Sequence, residues 1–175
     1  MLCFSPKWAG IILRRRIYQH FVPLGLFRDN ANVFQTDQGD SISGDAGLQI
    51  KMQKLILIGL AGFAGTLMRY FLSEWTARRL GEAFPTGTLV VNLIGCFLAG
   101  LLFYLMFDRN LVSPAVRVIV LVGLLGGFTT FSSFGLQTFT LLRDGEMGLA
   151  LSNIAISNIG GLLMVWVGYS LAKIF

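Results

Sequence analysis

The sequence predicts an all-α integral membrane protein. Residues 52–175 form four transmembrane helices, and the third is broken mid-membrane. Three observations carry that reading. Hydrophobic residues make up 54% of the chain and charged residues only 13%, roughly half the charge of an average soluble domain. Four apolar stretches each approach the ~20 residues a helix needs to cross hydrocarbon. Short segments holding Arg, Asp, Glu and Pro separate them. The stretches are continuous rather than alternating, which excludes barrel strands. Backbone groups in lipid must then be paired within each segment, which leaves helices.

Residues 1–51 stand apart from this pattern. The apolar run Trp8–Leu13 is too short to span and is closed by Arg14, Arg15 and Arg16. A secretory signal carries its positive charges ahead of its apolar region, and here they follow it. Residues 29–47 are polar and rich in Gly, Asp and Ser, the composition of a disordered segment. Met52-Gln53-Lys54 followed by a long apolar run has the form of a natural start. Residues 1–51 are therefore expected to be an extension from an upstream start codon or a dispensable tail. The alternative is a basic amphipathic surface anchor over 8–28.

The first span is expected over Leu55–Leu72. The second covers Thr88–Phe107, after a loop holding Arg78, Arg79, Glu82 and Pro85. The third covers Ala115–Leu142, preceded by Asp108, Arg109 and Pro114. The fourth covers Leu149–Ile174, after Arg143-Asp144-Gly145-Glu146. The third span holds Gly123, Gly126 and Gly127, then Thr129, Thr130, Ser132 and Ser133. Glycine weakens a helix, and hydroxyls can bond to freed backbone groups. A break is the favoured reading, and one is tolerated at membrane depth only where protein buries it or it lines a cavity. A tightly packed Gly/Thr helix interface is the alternative.

Charge bears on orientation. With four crossings, Lys54, Arg109, Arg117 and Lys173 fall on one face and Arg69, Arg78, Arg79 and Arg143 on the other. Orientation follows the Lys/Arg asymmetry between faces, and here there is none. Such a chain can insert both ways and pair as an antiparallel dimer. The six Lys/Arg of residues 1–51 would tip the balance. The net charge of +5 forms no basic stripe beside a soluble fold, so no nucleic-acid partner is implied. The two cysteines, Cys3 and Cys96, make no disulfide framework or zinc spacing. The only histidine, His20, lies in the N-terminal segment.

Enzymatic chemistry is poorly supported. The spans hold no Ser/His, Cys/His or paired-carboxylate set. Their interiors lack Asp and Glu, which also argues against proton-coupled transport. What they hold instead is neutral donors and aromatics: Asn92, Thr129, Thr130, Ser132, Ser133, Asn153, Ser157, Asn158, Phe128, Phe131 and Phe134. Neutral donors hold an anion more weakly than Lys or Arg, and conduction needs sites weak enough to leave. A Phe ring presents a positive edge. Phe131 and Phe134 are three apart and share one side of a helix. Most Phe residues in a span nonetheless pack against lipid or other helices, and spacing alone does not exempt these two. Asn92 suits an interhelical hydrogen bond as well as a pore. Arg69, near the end of the first span, can snorkel to the interface or mark an anion-concentrating vestibule.

Three motifs then occur in order. They are Gly-x-x-Gly-x-x-x-Arg-Tyr at 62–70, Gly-Thr-Leu-x-Val-Asn-x-x-Gly at 87–95, and Gly-Gly-Phe-Thr-Thr-Phe-Ser-Ser-Phe at 126–134. In these the chain resembles the Fluc-type fluoride channels, or CrcB family, over essentially all of 52–175. The resemblance implies an antiparallel dual-topology homodimer with two fluoride pores in the inner (plasma) membrane. It implies a structural sodium ion at the dimer interface, held by backbone carbonyls of Gly126 and Thr129. It implies pore roles for Asn92, Phe131, Phe134, Ser133 and Ser157, and a vestibule role for Arg69. Family members often carry Glu where this chain has Gln137, so a role needing a negative charge there does not transfer. The rival readings are a small dual-topology multidrug exporter and a non-transporting membrane assembly subunit. The first needs an intramembrane carboxylate, and the second leaves the polar residues of the spans without a purpose.

Overall fold

The computed structural model describes residues 44–81 and 83–174. The expectations of disorder over 29–43 and of a surface anchor over 8–28 lie outside the described residues; residues 44–47, also expected to be disordered, are instead the start of a helix.

The described chain is helical and crosses four times, as a multi-pass membrane protein must. Helix α1 covers Gly44–Leu80 and α2 covers Thr86–Asp108. Helix α3 covers 114–128, α4 covers Phe131–Arg143 and α5 covers Met147–Ala172. Together α3 and α4 make the third crossing, Pro114–Arg143.

The first helix outruns its apolar run at both ends. Its 37 residues extend ~55 Å at ~1.5 Å per residue, against ~30 Å of hydrocarbon. Lys, Gln, Ala, Arg and Leu flank the run and are good helix formers, so nothing stops the helix where hydropathy falls. Arg78 and Arg79, expected in a loop, therefore occupy its last turn. At the other end the helix runs unbroken through Lys51 and Met52, so residues 44–51 lie within it.

The helices pack through small residues, as membrane helices do where no hydrophobic effect drives them together. The closest crossing joins α2 to α5. A Cβ on Gly100 would meet the Val165 carbonyl, and one on Gly168 would meet the Phe97 carbonyl. Helix α1 lies along α3. The few fully buried side chains include Val91, Asn153 and Thr76. Most large apolar side chains face outward, among them Phe63, Phe71, Leu136, Leu162 and Trp166, the arrangement expected when lipid replaces water as solvent.

Polar and aromatic groups mark the two ends of the bundle. At one end the Tyr169 hydroxyl donates to Asp108 Oδ2 at 2.7 Å. There Lys173 sits 4.5 Å from the Tyr169 ring centroid and Arg117 4.7 Å from that of Phe107. At the other end Arg78 pairs with Glu74 at 2.9 Å and Arg143 with Asp144 at 2.8 Å. The neighbouring Arg143 guanidinium holds the Asp144 carboxyl below its ordinary value, chiefly through their hydrogen bond. A tight turn through Gly145, with the Glu146 N–H on the Leu141 carbonyl at 2.8 Å, folds α4 back onto α5.

Candidate functional site

The site is built around two residues in the third crossing. Thr129 (φ −86°, ψ 158°) and Thr130 (φ −150°, ψ 114°) are extended, between the end of α3 and the start of α4. Their backbone groups need partners, because unpaired ones at membrane depth are costly. The side chain of Asn92 supplies two. Its Oδ1 accepts from the Thr130 N–H at 2.9 Å, and its Nδ2 donates to the Thr130 carbonyl at 3.0 Å. The carboxamide thus pairs both sides of one residue, as a neighbouring strand would. The Thr130 hydroxyl accepts from the Ser133 N–H at 3.2 Å, the bond of an N-cap, and starts α4.

Those bonds divert two helical donors. In an unbroken helix the Thr130 N–H would reach the Gly126 carbonyl, and the Ser133 N–H would reach that of Thr129. Here the first goes to Asn92 and the second to Thr130 Oγ1. The carbonyls of Gly126 and Thr129 are left without their usual donors. Thr129 itself turns inward: its N–H and hydroxyl both donate to the Leu125 carbonyl, at 2.9 and 3.0 Å. Its methyl lies against α2 where Gly95 has no side chain, and a Cβ at Gly95 would collide with it.

Two open-sided cavities flank this junction. The larger, about 390 Å³, is lined by Asn92, Gly95 and Cys96 of α2, Leu125 and Gly126 of α3, Thr129 and Thr130, Phe131 and Phe134 of α4, and Ser157 and Asn158 of α5. No residue lining it carries a charge. The Phe131 and Phe134 ring centroids are 5.4 Å apart at 46°, and Phe131 is 80% exposed. The smaller cavity, about 280 Å³, is lined by Thr66, Arg69, Tyr70, Ser73, Glu74, Thr88, Thr130 and Ser133. Thr130 lines both.

Six of the expected residues thus share one cavity: Asn92, Gly126, Thr129, Phe131, Phe134 and Ser157. Arg69 and Ser133 share the other. Arg69 forms no ion pair with a described residue. Among the described residues no group of three or more His, Cys, Asp or Glu could hold a metal ion.

Three residues matter more than the sequence indicated. Thr130 was legible only as one hydroxyl among four, yet it caps α4 and divides the cavities. Thr138 and Asn153 form a buried pair: Asn153 Nδ2 donates to Thr138 Oγ1 at 2.8 Å, and that hydroxyl donates to the Phe134 carbonyl at 2.8 Å. No local spacing joins positions on two different helices. Gln137 Oε1 is buried without a donor among the described residues.

Donors remain for a passing guest. Asn92 keeps one Nδ2 hydrogen beyond the Thr130 carbonyl. Ser133 accepts from Thr130 Oγ1 at 3.1 Å, so its own hydroxyl proton is free. Ser157 donates to Asn153 Oδ1 across 3.4 Å, the weak limit of such a bond. Asn92 and Ser157 thus offer neutral, weakly engaged donors in the cavity that Phe131 and Phe134 also line, and such donors suit brief contact with a small anion.

Comparison with known proteins bears on this geometry. The family model described as "CrcB-like protein, Camphor Resistance (CrcB)" matches residues 56–169. A curated relative from Geotalea daltonii, named "Fluoride-specific ion channel FluC", is 46% identical over 122 residues, covering 70% of this chain and 98% of its own length. Relatives of the same name from Citrifermentans bemidjiense and Pseudomonas putida are 42% and 45% identical over 122 and 116 residues. They cover 70% and 66% of this chain, and 98% and 94% of their own lengths.

Proposed function

This chain belongs to the CrcB-like family, and we propose that it is a fluoride channel that lets the anion leave the cell down its electrochemical gradient. It is a channel and not an enzyme. The observation that carries this reading is the charge-free cavity beside Thr130, where Asn92, Phe131, Phe134 and Ser157 meet. Fluoride is a small anion with tightly held water. Its path has to replace part of that water without trapping the ion. A Lys or Arg in the cavity would bind too well, and a purely apolar wall would not admit it. The remaining Asn92 N–H, the Ser157 hydroxyl and the Phe edges offer intermediate contacts. Arg69, in the smaller cavity, raises the local anion concentration near the entrance. An inside-negative potential drives the anion outward by ~2.3 kcal/mol per charge per 100 mV.

The working unit in this reading is an antiparallel homodimer in the plasma membrane. Two features support it. The larger cavity is open-sided and Phe131 projects outward beside the opening, so a second copy can close it. The Lys/Arg balance of residues 52–175 favours neither orientation.

The residues at the junction also fit the sodium ion that the family implies. Sodium is a hard cation that prefers oxygen ligands, and the Gly126 and Thr129 carbonyls have lost their helical donors to Asn92 and Thr130. These two residues would hold it. Bound there, the ion would supply positive charge to carbonyl oxygens otherwise unpaired in the membrane.

Efflux from liposomes, followed with a fluoride electrode and run against chloride, tests the function. Fast fluoride release with little chloride release is expected. Equal release of both anions, or none, would overturn the reading.

A further inference from the structure

Helix α4 carries Phe131 and Phe134, yet it follows two extended residues. The regular hydrogen bonds that would couple it to α3 are interrupted at Thr129 and Thr130. Its placement therefore depends on side-chain pins. One is the Asn92 carboxamide on Thr130, at its start. The other lies two turns along, between α4 and α5.

The second pin is the buried pair Thr138 and Asn153, which are 7% and 2% exposed. The proton order is unambiguous. A single Thr138 hydroxyl proton goes to the Phe134 carbonyl at 2.8 Å, and the oxygen accepts from Asn153 Nδ2 at 2.8 Å. Asn153 Oδ1 then accepts from Ser157 at 3.4 Å. The chain of bonds runs from the backbone of one cavity-lining residue, Phe134, to the side chain of another, Ser157. Those two come from different helices. Helices α4 and α5 are joined by a tight turn and run side by side, so one rung between them fixes how they slide past each other.

We propose that Thr138 and Asn153 are positioning residues for the anion path, setting the register in which Phe134 and Ser157 line the same cavity. Neither lines that cavity itself. They act through the residues one turn nearer to it. The long bond from Ser157 matters here. It holds the hydroxyl near Asn153 but lets it turn toward a passing anion. The proposal rests on the fluoride-channel reading, and its test separates the two.

Thr138→Val keeps the shape of the side chain and removes the hydroxyl. In liposomes, with flux counted per assembled protein, it should lower fluoride efflux about tenfold. That factor equals ~1.4 kcal/mol, within the range for a membrane interhelical hydrogen bond. Fluoride preference over chloride should fall as well, which a loss of folded protein alone would not cause. Thr138→Ser, which restores the hydroxyl, should recover both readouts. The double variant Thr138→Val with Asn153→Leu should be no worse than Asn153→Leu alone, because that change already removes the rung to Thr138. Wild-type efflux with selectivity unchanged in Thr138→Val overturns the proposal alone. Failure of Thr138→Val to assemble also overturns it, since the pair would then hold the fold rather than set the path. Absence of fluoride efflux from the parent chain overturns the channel reading instead.

Discussion

Asn92 places one oxygen and one N–H on the backbone of Thr130 and keeps a single N–H for anything passing through the cavity. Its first duty is structural, and the pore duty proposed for it falls to what is left. Asn92→Leu leaves the Thr130 N–H and carbonyl without those partners, at about 1–3 kcal/mol for each buried group. The expected result is a lower unfolding temperature in detergent together with lost fluoride efflux. Unchanged stability would mean that the Thr130 backbone finds other partners. Phe131 is the opposite case. It is 80% exposed in the single chain and holds nothing together within it. Phe131→Ile should abolish fluoride efflux while the proposed dimer still assembles, as judged by size-exclusion chromatography. Normal flux in that variant would remove Phe131 from the path. The sequence named both residues, but it did not assign their different duties. Asn92 and Thr130 are 38 positions apart, and no local pattern pairs them.

At the scale of the element, hydropathy located the four crossings but not the full length of the first. Apolar content marks where a helix enters lipid. Helix-forming residues such as Lys51, Lys54, Arg78 and Arg79 carry the helix on past that point. The segment 52–80 alone still exceeds ~30 Å at ~1.5 Å per residue. A chain beginning at Met52 should therefore assemble and release fluoride like the full chain. Loss of efflux would show that residues before Met52 are needed. The α2–α5 crossing behaves differently, because both of its close approaches are to backbone carbonyls. Gly100→Leu should cost more than the ~1–3 kcal/mol typical of an overpacked core, since a carbonyl cannot rotate away as a side chain can. Sharply reduced recovery of assembled protein is the expected readout. Glycine content in the spans hinted at such contacts, but which glycines oppose which carbonyls depends on helix rotation, and composition does not encode that.

For the whole molecule, the even split of Lys and Arg has a direct consequence. A chain beginning at Met52, with Cys96 replaced and a single cysteine introduced by Asp144→Cys, should label from both sides of the membrane with an impermeant thiol reagent. Labelling from one side only would rule out dual insertion. The full chain carries six further positive charges before Met52 and should shift the ratio if that segment is present during insertion. Orientation is thus a property on which simple charge counting makes a prediction. The cavities are not. The larger arises where α2, α3, α4 and α5 converge, with walls drawn from Asn92 to Val165, and the smaller lies between α1, α2 and the start of α4, with walls drawn from Thr66 to Ser133.

Thr130 belongs to both cavities and also starts α4. The residue whose hydroxyl anchors Ser133 is also part of the wall of both chambers. A substitution meant to reshape either wall would also unfasten the helix carrying the aromatic pair. Wall shape and helix placement cannot be retuned one at a time in this design, so a change in throughput at Thr130 should arrive together with a change in discrimination.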